Sequence, residues 1–332
     1  MNLIIKILLC ISCFSLSQAQ EAHVIRAAID IGSGGPKLRV AEVDLTLSKV
    51  KVLHMEQYPV IFYESIAQSR TLSPEIMLKG LVAIKNAIDL AKSHRAEGIV
   101  LMGTSVFRNA INGNEFASKI LKETGLPVHI LDQDLEGKLA FQSVLAKAGV
   151  DANHLIMWDI GGGSTQLVGM TQDGFYIIDG SNEGSGPFRD HIISSIQKKD
   201  LKDCKSPNPI SSTHAHEAVE HASKLSTKVH PILKNKLYQS GTSLVGVGSV
   251  LGKGLFALMN KKDSFTTKEL ESVVDSLIGK KDDELGGGDY ACIEVSNALL
   301  VLGFMKGLGI KQLSVIDVNN AEGAMIYKAF WK

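Results

Sequence analysis

Two short strings in this sequence combine a carboxylate, small residues and hydroxyl groups in the same order. One string, Asp-Ile-Gly-Gly-Gly-Ser-Thr, occupies residues 159–165, and the other, Asp-Ile-Gly-Ser-Gly, occupies residues 30–34. Bare glycine N–H groups allow phosphate oxygens to approach closely, and a carboxylate such as Asp159 can hold a divalent cation through water. The strings therefore predict chemistry on a phosphate-bearing substrate. The candidate phosphate-binding residues are Ser33, Gly34, Gly161, Gly162, Gly163, Ser164 and Thr165.

Each string lies between two apolar runs. Residues 155–158 and 27–29 form runs that are too short for an unsupported helix, so both strings are predicted to be turns between strands. A Gly-Gly pair taken singly is most often only a tight hairpin turn. Recurrence of the same order in each half of the chain instead favours two related domains. Their cleft would be lined by two carboxylates and two glycine loops.

Further candidates follow other predicted elements. Arg108 comes after an apolar strand at 98–103, and ligands in open α/β sheets gather beyond the carboxyl ends of strands. This placement favours anion binding by Arg108, with a surface ion pair as the alternative. Glu136, near the acidic start of a predicted helix, is a candidate general base, although acidic residues also suit a helix N-terminus. Gly248 and Ser249 end a third glycine-rich strand and are expected to border the same cleft.

The elements that must position these residues are predicted from periodicity and from start and stop signals. Ser73 and Pro74 begin a helix that runs to about residue 94, and the apolar helix at 293–307 is expected to be buried. The histidine-containing stretch from residue 212 is interpreted as one solvated helix and not as a metal site. The remaining predictions are strands at 50–60, 128–131, 174–178 and 313–317, a loop at 68–74, and a glycine-rich turn over the cleft at 183–188.

Composition sets the broad class. The chain has 332 residues, of which 45% are hydrophobic and 21% charged, and its formal net charge is zero. These values are typical of a globular protein of about two domains. A neutral chain gives no global electrostatic reason to expect nucleic acid or an anionic membrane as a partner.

The first residues resemble a secretory signal. Residues 7–16 form a short apolar core, and Ser17-Gln18-Ala19 resembles a cleavage site, so residues 1–19 are predicted to be a signal peptide. Secretion or a periplasmic location follows, with no stable membrane insertion. An uncleaved anchor and a buried strand are the alternatives. The mature chain would keep Cys204 and Cys292, whose pairing the sequence leaves open.

Taken together, these motifs resemble those of the exopolyphosphatase and guanosine pentaphosphate phosphohydrolase family, within the actin, heat-shock ATPase and sugar kinase superfamily. The resemblance implies an α/β fold: two actin-like (ribonuclease H-like) domains with mixed sheets flanked by helices, and a phosphate cleft between them. It places the first domain at 20–131 plus 318–332 and the second at 132–317. The matching segments are 30–33, 103–110, 135–139, 159–165, 246–249 and 322–323.

The resemblance also implies an activity and residue roles. It implies Mg²⁺-dependent hydrolysis of a terminal phosphoanhydride in polyphosphate or a phosphorylated guanosine nucleotide. Glu136 corresponds to the proposed base that activates water, Asp30 and Asp159 to residues that help hold the cation, and Arg108 to a phosphate ligand. Gln166 stands where the family usually has a glutamate at the metal site, so it keeps a carbonyl ligand and loses the charge.

Other departures from the family pattern lie at 34–35, where two glycines replace Asn-Ser, and at Leu135, where an acid is usual. Three functions follow as alternatives. The first is a hydrolase of terminal phosphate, the second an exported protein that binds phosphate chains with weak or no turnover, and the third a sugar-kinase-like phosphotransferase. Export would favour extracytoplasmic polyphosphate or a nucleotide over an alarmone. The sequence leaves a monomer and a homodimer open.

Overall fold

The computed structural model describes residues 23–260, 263–288 and 290–331, and the predicted signal peptide at 1–19 lies outside them. The described residues form two mixed sheets flanked by helices, as the fold class predicted. The strands are β1 His23–Gly32, β2 Gly35–Asp44, β3 Lys49–Gln57, β4 Gly98–Gly103, β5 Val128–Ile130, β6 Leu155–Ile160, β7 Thr165–Met170, β8 Tyr176–Ser181, β9 Ser243–Val247, β10 Ser264–Thr266 and β11 Gln312–Val315.

The helices alternate with these strands along the chain. The α-helices are α1 Phe62–Ser69, α2 Pro74–Ser93, α3 Ser105–Asn109, α4 Gly113–Thr124, α5 Gln133–Ala148, α6 Ser185–His191, α7 Ser212–Ser226, α8 Pro231–Leu237, α9 Phe256–Met259, α10 Thr267–Leu277, α11 Ala291–Gly307 and α12 Asn320–Ile326. Short π-helical turns follow α6 at Ile192–Ile196 and precede α9 at Val250–Leu255.

The two sheets share one plan. The strand order is β3-β2-β1-β4-β5 in the first sheet and β10-β11-β9-β6-β7-β8 in the second. In each sheet three antiparallel strands are followed by parallel ones, so β1, β2, β3, β4 and β5 correspond to β6, β7, β8, β9 and β11. Strand β10 is an addition at one edge of the second sheet. The Asp-Ile-Gly string therefore occurs twice because it lies at the equivalent hairpin of each of two similar structural units.

Helices cover both faces of each sheet, which explains the nearly continuous apolar runs of the central strands. In β1, Ile29 packs into one buried cluster and Ala28 into another on the opposite face. In β6, Trp158 and Met157 divide in the same way. Side chains alternate across a strand, so each central strand contributes to two cores.

Several predicted starts and stops are confirmed. The Ser73 hydroxyl accepts a hydrogen bond from Ile76 N at 3.2 Å at the start of α2. Asp132 caps α5 by accepting from Leu135 N at 2.7 Å. The alternative that acidic residues there serve the helix N-terminus therefore holds for Asp132. Helix α11 is buried along most of its length, as predicted. None of the described helices is long and apolar enough to cross a membrane.

Other predictions need correction. Strand β3 ends at Gln57 instead of residue 60, and part of the stretch that follows it forms α1, which the sequence reading did not predict. Strand β8 begins at Tyr176, two residues later than predicted. The predicted glycine-rich turn at 183–188 contains the start of α6. The histidine-containing stretch is interrupted, because α7 ends at Ser226 and His230 caps the next helix.

A partly buried ionic contact links the two sheets near the last helix. Arg39 of β2 lies 2.8 Å from Asp317 through Nη2 and 3.5 Å from Glu322 through Nε. Burial raises the pKa of Glu322, and Arg39 opposes that shift. Helix α12 starts here with a capping box between Asn319 and Glu322, and its residues Ala324 and Met325 pack against the first sheet.

Candidate active site

The two aspartates and Glu136 approach one another because of strand alternation. Asp30 lies on the same face of β1 as Ala28, and Asp159 lies on the same face of β6 as Met157. Both faces pack against α5, which contributes Leu139 to one core and Phe141 to the other. Glu136 lies in the first turn of that helix. The fold thereby brings three predicted residues from distant segments to one place.

All three carboxylates are buried and interact electrostatically. Burial raises the pKa of Glu136 to about 7, with Asp159 and Asp30 adding to the shift and Arg108 opposing it. Burial likewise raises the pKa of Asp159 to about 6, with Lys37 opposing the shift and Asp30 adding to it. The pKa of Asp30 is also raised by burial, against the effects of Lys37 and Arg108. Groups with such shifts in a cleft are candidates for proton transfer and cation binding.

Arg108 contacts the candidate base directly. Its Nη1 donates to Glu136 Oε2 at 2.6 Å and to the Leu131 carbonyl at 2.7 Å. Its Nη2 is buried and has no hydrogen-bond partner in the described part of the chain. Buried donors in proteins are nearly always satisfied, so this nitrogen is suited to an anion. The structure thus combines the two readings of Arg108, an ion pair and an available donor.

The two glycine loops face each other. A Cβ built on Gly162 would lie 2.9 Å from Ser33 Cβ, and one on Gly163 would lie 2.9 Å from Ser33 Oγ and 3.0 Å from Ser105 Oγ. The hydroxyls of Ser33 and Ser105 are 2.9 Å apart. Loop 161–164 is closed on itself by a 2.8 Å hydrogen bond from Gly161 N to Ser164 O. Glycine is therefore required at 162 and 163 by contact between the halves of the molecule.

The third loop borders the same place, as predicted. Gly248 has φ +82°, and a Cβ there would lie 2.1 Å from Asp159 Oδ1, so only glycine lets the loop approach that carboxylate. The neighbouring Ser249 hydroxyl lies 3.5 Å from Lys37 Nζ. Lys37 faces Asp30 directly across the β1–β2 hairpin. The loop after β9 therefore meets both predicted hairpins.

The residues after Gly163 are placed on opposite faces of β7. Gln166 faces Asp159 across the β6–β7 hairpin, and its Nε2 donates to Ser164 Oγ at 3.2 Å. Thr165 lies on the other face: its hydroxyl donates to the Asp159 carbonyl at 2.7 Å and accepts from Trp158 Nε1 at 3.2 Å. Gln166 therefore lies on the same face of the hairpin as the carboxylates, whereas the Thr165 hydroxyl makes hydrogen bonds within the hairpin on the opposite face.

Two residues at the site, Lys37 and Ser105, were not among the predicted ones. Lys37 stands seven positions after Asp30, and Gln166 stands seven positions after Asp159. In hairpins of equal length this offset puts each residue opposite its aspartate, so the sequence did contain the signal for Lys37. Ser105 had no such signal, because its contact with Ser33 joins residues that are far apart in the chain.

A divalent cation fits part of this donor set. Among residues 23–260, 263–288 and 290–331, no three His, Cys, Asp or Glu side chains are grouped as a ready-made metal site. Asp30 Oδ1 is nevertheless buried without a hydrogen-bond partner in these residues. Mg²⁺ characteristically keeps several waters and takes few protein carboxylates together with substrate phosphates. Asp30 and Asp159 satisfy that requirement, with Gln166 beside them.

The cysteines and histidines add no second centre in the described residues. Cys204 and Cys292 are not joined by a disulfide. Cys204 Sγ instead lies 3.0 Å from the Ser206 carbonyl. His216 is largely exposed on α7 and lies 3.5 Å from Glu220, in agreement with its interpretation as part of a solvated face.

The curated proteins that are similar to this chain include an exopolyphosphatase and a bifunctional synthase/phosphatase. The chain is 26% identical over 149 residues to exopolyphosphatase 2 of Mycobacterium tuberculosis, covering 43% of this chain and 47% of that protein. It is 26% identical over 151 residues to a bifunctional 3-dehydroquinate synthase/phosphatase of Fusobacterium nucleatum, covering 44% and 23%. The chain thus spans less than half the length of these curated relatives.

Solved structures match over a greater length. The crystal structure of the Aquifex aeolicus member of the Ppx/GppA family has a TM-score of 0.72 at 18% identity, covering 92% of this chain and 98% of that one. An exopolyphosphatase from Cytophaga hutchinsonii has a TM-score of 0.71 at 16% identity, covering 92% and 97%. The model of the Ppx/GppA phosphatase family matches residues 40–326. With that match over most of its length, the chain belongs to the Ppx/GppA phosphatase family.

Proposed function

We propose that this protein is a hydrolase that releases terminal phosphate from inorganic polyphosphate or a related phosphoanhydride such as guanosine pentaphosphate. The observation that carries the proposal is the pairing of buried Glu136 with Arg108 beside two glycine loops. A general base works best when its pKa lies near the working pH, and the pKa of Glu136 is raised to about 7. A phosphate chain bound at the loops would place its terminal group next to this base.

The chain's own residues supply each part of the proposed reaction. Arg108 Nη2, which has no partner among the described residues, would donate to the terminal phosphoryl group. Glu136 would accept a proton from water as that water attacks phosphorus, and the phosphoanhydride oxygen would leave with the shortened chain. Preorganised donors contribute most of the stabilisation in reactions of this kind. Lys37 would oppose the negative charge gathered by substrate and aspartates.

The proposal includes Mg²⁺ dependence. Asp30 and Asp159 would hold the ion, partly through water, with Gln166 contributing a carbonyl oxygen. When bound, the ion would neutralise phosphate charge that Arg108 and Lys37 cannot balance by themselves. The buried and unpartnered Asp30 Oδ1 supports this arrangement.

The experiment that tests the proposal is phosphate release by the mature chain from long-chain polyphosphate. Release should require Mg²⁺, and Glu136→Gln should lower kcat by about 10²- to 10⁴-fold, as expected for loss of a general base. Wild-type kcat should rise with pH through about 7, because only ionised Glu136 accepts the proton. The residual rate of the variant should lack this rise. Equal rates in both proteins would contradict the proposal.

A second candidate is favoured by one residue. Gln166 occupies the position opposite Asp159, where the family usually has an acid, and an uncharged ligand weakens cation binding. Under this alternative the protein binds polyphosphate or a nucleotide with little or no turnover. Polyphosphate binding by wild type and Glu136→Gln with equal affinity, and no phosphate release by either, would select this alternative.

The proposed setting is outside the cytoplasm, which favours polyphosphate over an intracellular guanosine nucleotide. This part of the proposal depends on the predicted signal peptide at 1–19. N-terminal sequencing of the exported protein should find Gln20 as the first residue. A protein retained in the cytoplasm with Met1 intact would return the guanosine nucleotide to first place.

A further inference from the structure

A partly buried cluster joins the two halves of the molecule beside the glycine loops. The Tyr63 hydroxyl, from α1, donates to Asp190 Oδ2 at 2.8 Å. Arg189 holds the same carboxylate through Nε and Nη2, at 2.9 and 2.8 Å from Oδ1. The guanidinium carbon of Arg189 also lies 5.6 Å from the centroid of the Tyr63 ring. We call Tyr63, Arg189 and Asp190 the latch.

A second tyrosine makes the reverse connection. Tyr290 lies just before α11, and its hydroxyl is 3.4 Å from the Gly34 carbonyl in the first glycine loop. Gln57 Nε2, at the end of β3, donates to the same hydroxyl at 3.2 Å. Each half of the molecule thus reaches across the cleft with one tyrosine. Hydrogen bonds at these longer distances are weaker, so Tyr290 supports the latch and does not replace it.

The latch is built on the segments that hold the two loops. Ser185 N and Gly186 N, at the start of α6, donate to the carbonyls of Gly161 and Gly162 at 3.0 and 2.8 Å. On the other side, Tyr63 N donates to the Ser33 carbonyl at 3.2 Å. Tyr63 itself contacts the first loop, and Asp190 lies only a few residues after the segment that contacts the second. The Tyr63–Asp190 hydrogen bond therefore limits the distance between the two loops.

In the latched arrangement the loops leave no place for a phosphoryl group between Ser33 and Gly163. A Cβ on Gly163 would already be 2.9 Å from Ser33 Oγ, whereas a phosphate oxygen needs about 2.7–3.2 Å from the donors on each side of the group. Some of the site groups also bond to one another, Ser33 to Ser105 and Arg108 Nη1 to Glu136, while Arg108 Nη2 has no partner among the described residues. The loops must therefore separate before a phosphoryl group can lie between Ser33 and Gly163.

We propose that the Tyr63–Arg189–Asp190 latch holds the cleft closed in the absence of substrate and opens to admit a phosphate chain. Its catalytic consequence rests on the proposed function, but its effect on the loops does not. The apparent Kd of a ligand equals its intrinsic Kd divided by the fraction of binding-competent molecules. Weakening the latch should therefore tighten phosphate-chain binding, the opposite of what loss of a substrate ligand would do.

The test compares Tyr63→Phe with wild type by hydrogen–deuterium exchange without substrate. Loss of a hydrogen bond to a charged group should speed exchange about tenfold in peptides covering residues 30–36 and 159–166. The apparent Kd for long-chain polyphosphate should fall by up to the same factor. Tyr238→Phe is the matched control, because its hydroxyl donates to Leu308 O at 2.8 Å away from the loops. That variant should leave both readouts unchanged.

Unchanged exchange in both loops of Tyr63→Phe, or weaker polyphosphate binding by it, would overturn the latch. If Tyr63→Phe does not fold, Tyr290→Phe provides the same comparison, with an expected increase in loop exchange of about threefold. Unchanged exchange in that variant would also overturn the proposal. If the wild type neither binds nor hydrolyses polyphosphate, the proposed function fails while the exchange experiment still decides the latch.

Discussion

The two Asp-Ile-Gly hairpins have the same backbone plan and different residues facing their aspartates. In the first hairpin Asp30 faces Lys37, and in the second Asp159 faces Gln166. Lys37 opposes the burial-induced rise in the pKa of both aspartates, whereas the Gln166 amide is bound to Ser164. The first hairpin therefore supplies a positive charge that acts on both aspartates, and Arg108 adds to it at Asp30. The two halves therefore share a backbone geometry and differ in the charge of the residue that faces each aspartate.

Position 34 of the first loop differs from the glycines of the second half in how closely its surroundings pack, although the neighbouring Gly35, at φ +115°, is as tightly packed as they are, with a Cβ 2.1 Å from the Tyr58 carbonyl oxygen. A Cβ on Gly34 in the first loop would meet nothing nearer than the Tyr290 hydroxyl at 3.9 Å. In the second half, Gly162 and Gly163 abut Ser33 and Ser105, and Gly248 abuts Asp159. The first loop therefore has room for a side chain at 34. The second aspartate is fixed by contacts that only glycine permits.

Among the substitutions that compare the two halves, the largest effect should come from replacing a glycine of the second half. Gly248→Ala puts a methyl group 2.1 Å from Asp159 Oδ1 at a residue with φ +82°, so the carboxylate or the loop must move. A displacement of about 1 Å in a catalytic centre can cost about 10²-fold in rate. We expect that loss in kcat/KM, with Gly34→Ala within about twofold of wild type. Similar rates for the two variants would contradict the contrast between the loops.

Sequence patterns predicted the hairpins because local signals determine them. A short apolar strand, a carboxylate and small residues specify a turn without tertiary information, and repetition identified the second domain. Strand alternation would also have placed Gln166 on the Asp159 face and Thr165 on the other. Spacing alone did not distinguish them, because both residues follow the glycines.

The latch lay beyond sequence reasoning for a physical reason. Helix α1 has no capping side chain, since Ile61 precedes it, and it lies mostly between the strand predicted at 50–60 and the loop predicted at 68–74. The bond between Tyr63 and Asp190 joins residues 127 positions apart. Whether a partly buried tyrosine meets a carboxylate depends on how two domains close, and no local pattern encodes that.

Making the hairpins electrostatically alike should have the next largest effect. Lys37→Gln removes the cation that opposes the pKa rise of Asp159, so the pKa of that carboxyl should increase further. Loss of a charged phosphate partner should raise KM for polyphosphate by about thirtyfold. Lys51→Gln on β3, whose side chain is 77% exposed, is the control and should match wild type. Unchanged KM in Lys37→Gln would show that charge compensation comes from elsewhere.

The smallest effect should come from strengthening the second hairpin. Gln166→Glu adds a carboxylate opposite Asp159 in a buried setting, where like charges repel unless a cation lies between them. We expect the Tm to fall by about 2–4 °C in EDTA, the shift for a loss of about 1 kcal/mol. Mg²⁺ should restore the Tm and support turnover at about threefold lower concentration than in wild type. Gln239→Glu, at an exposed position, should show neither change. A lower Tm in EDTA that Mg²⁺ does not restore would place the cation away from Gln166, and would leave Asp30 as its principal ligand.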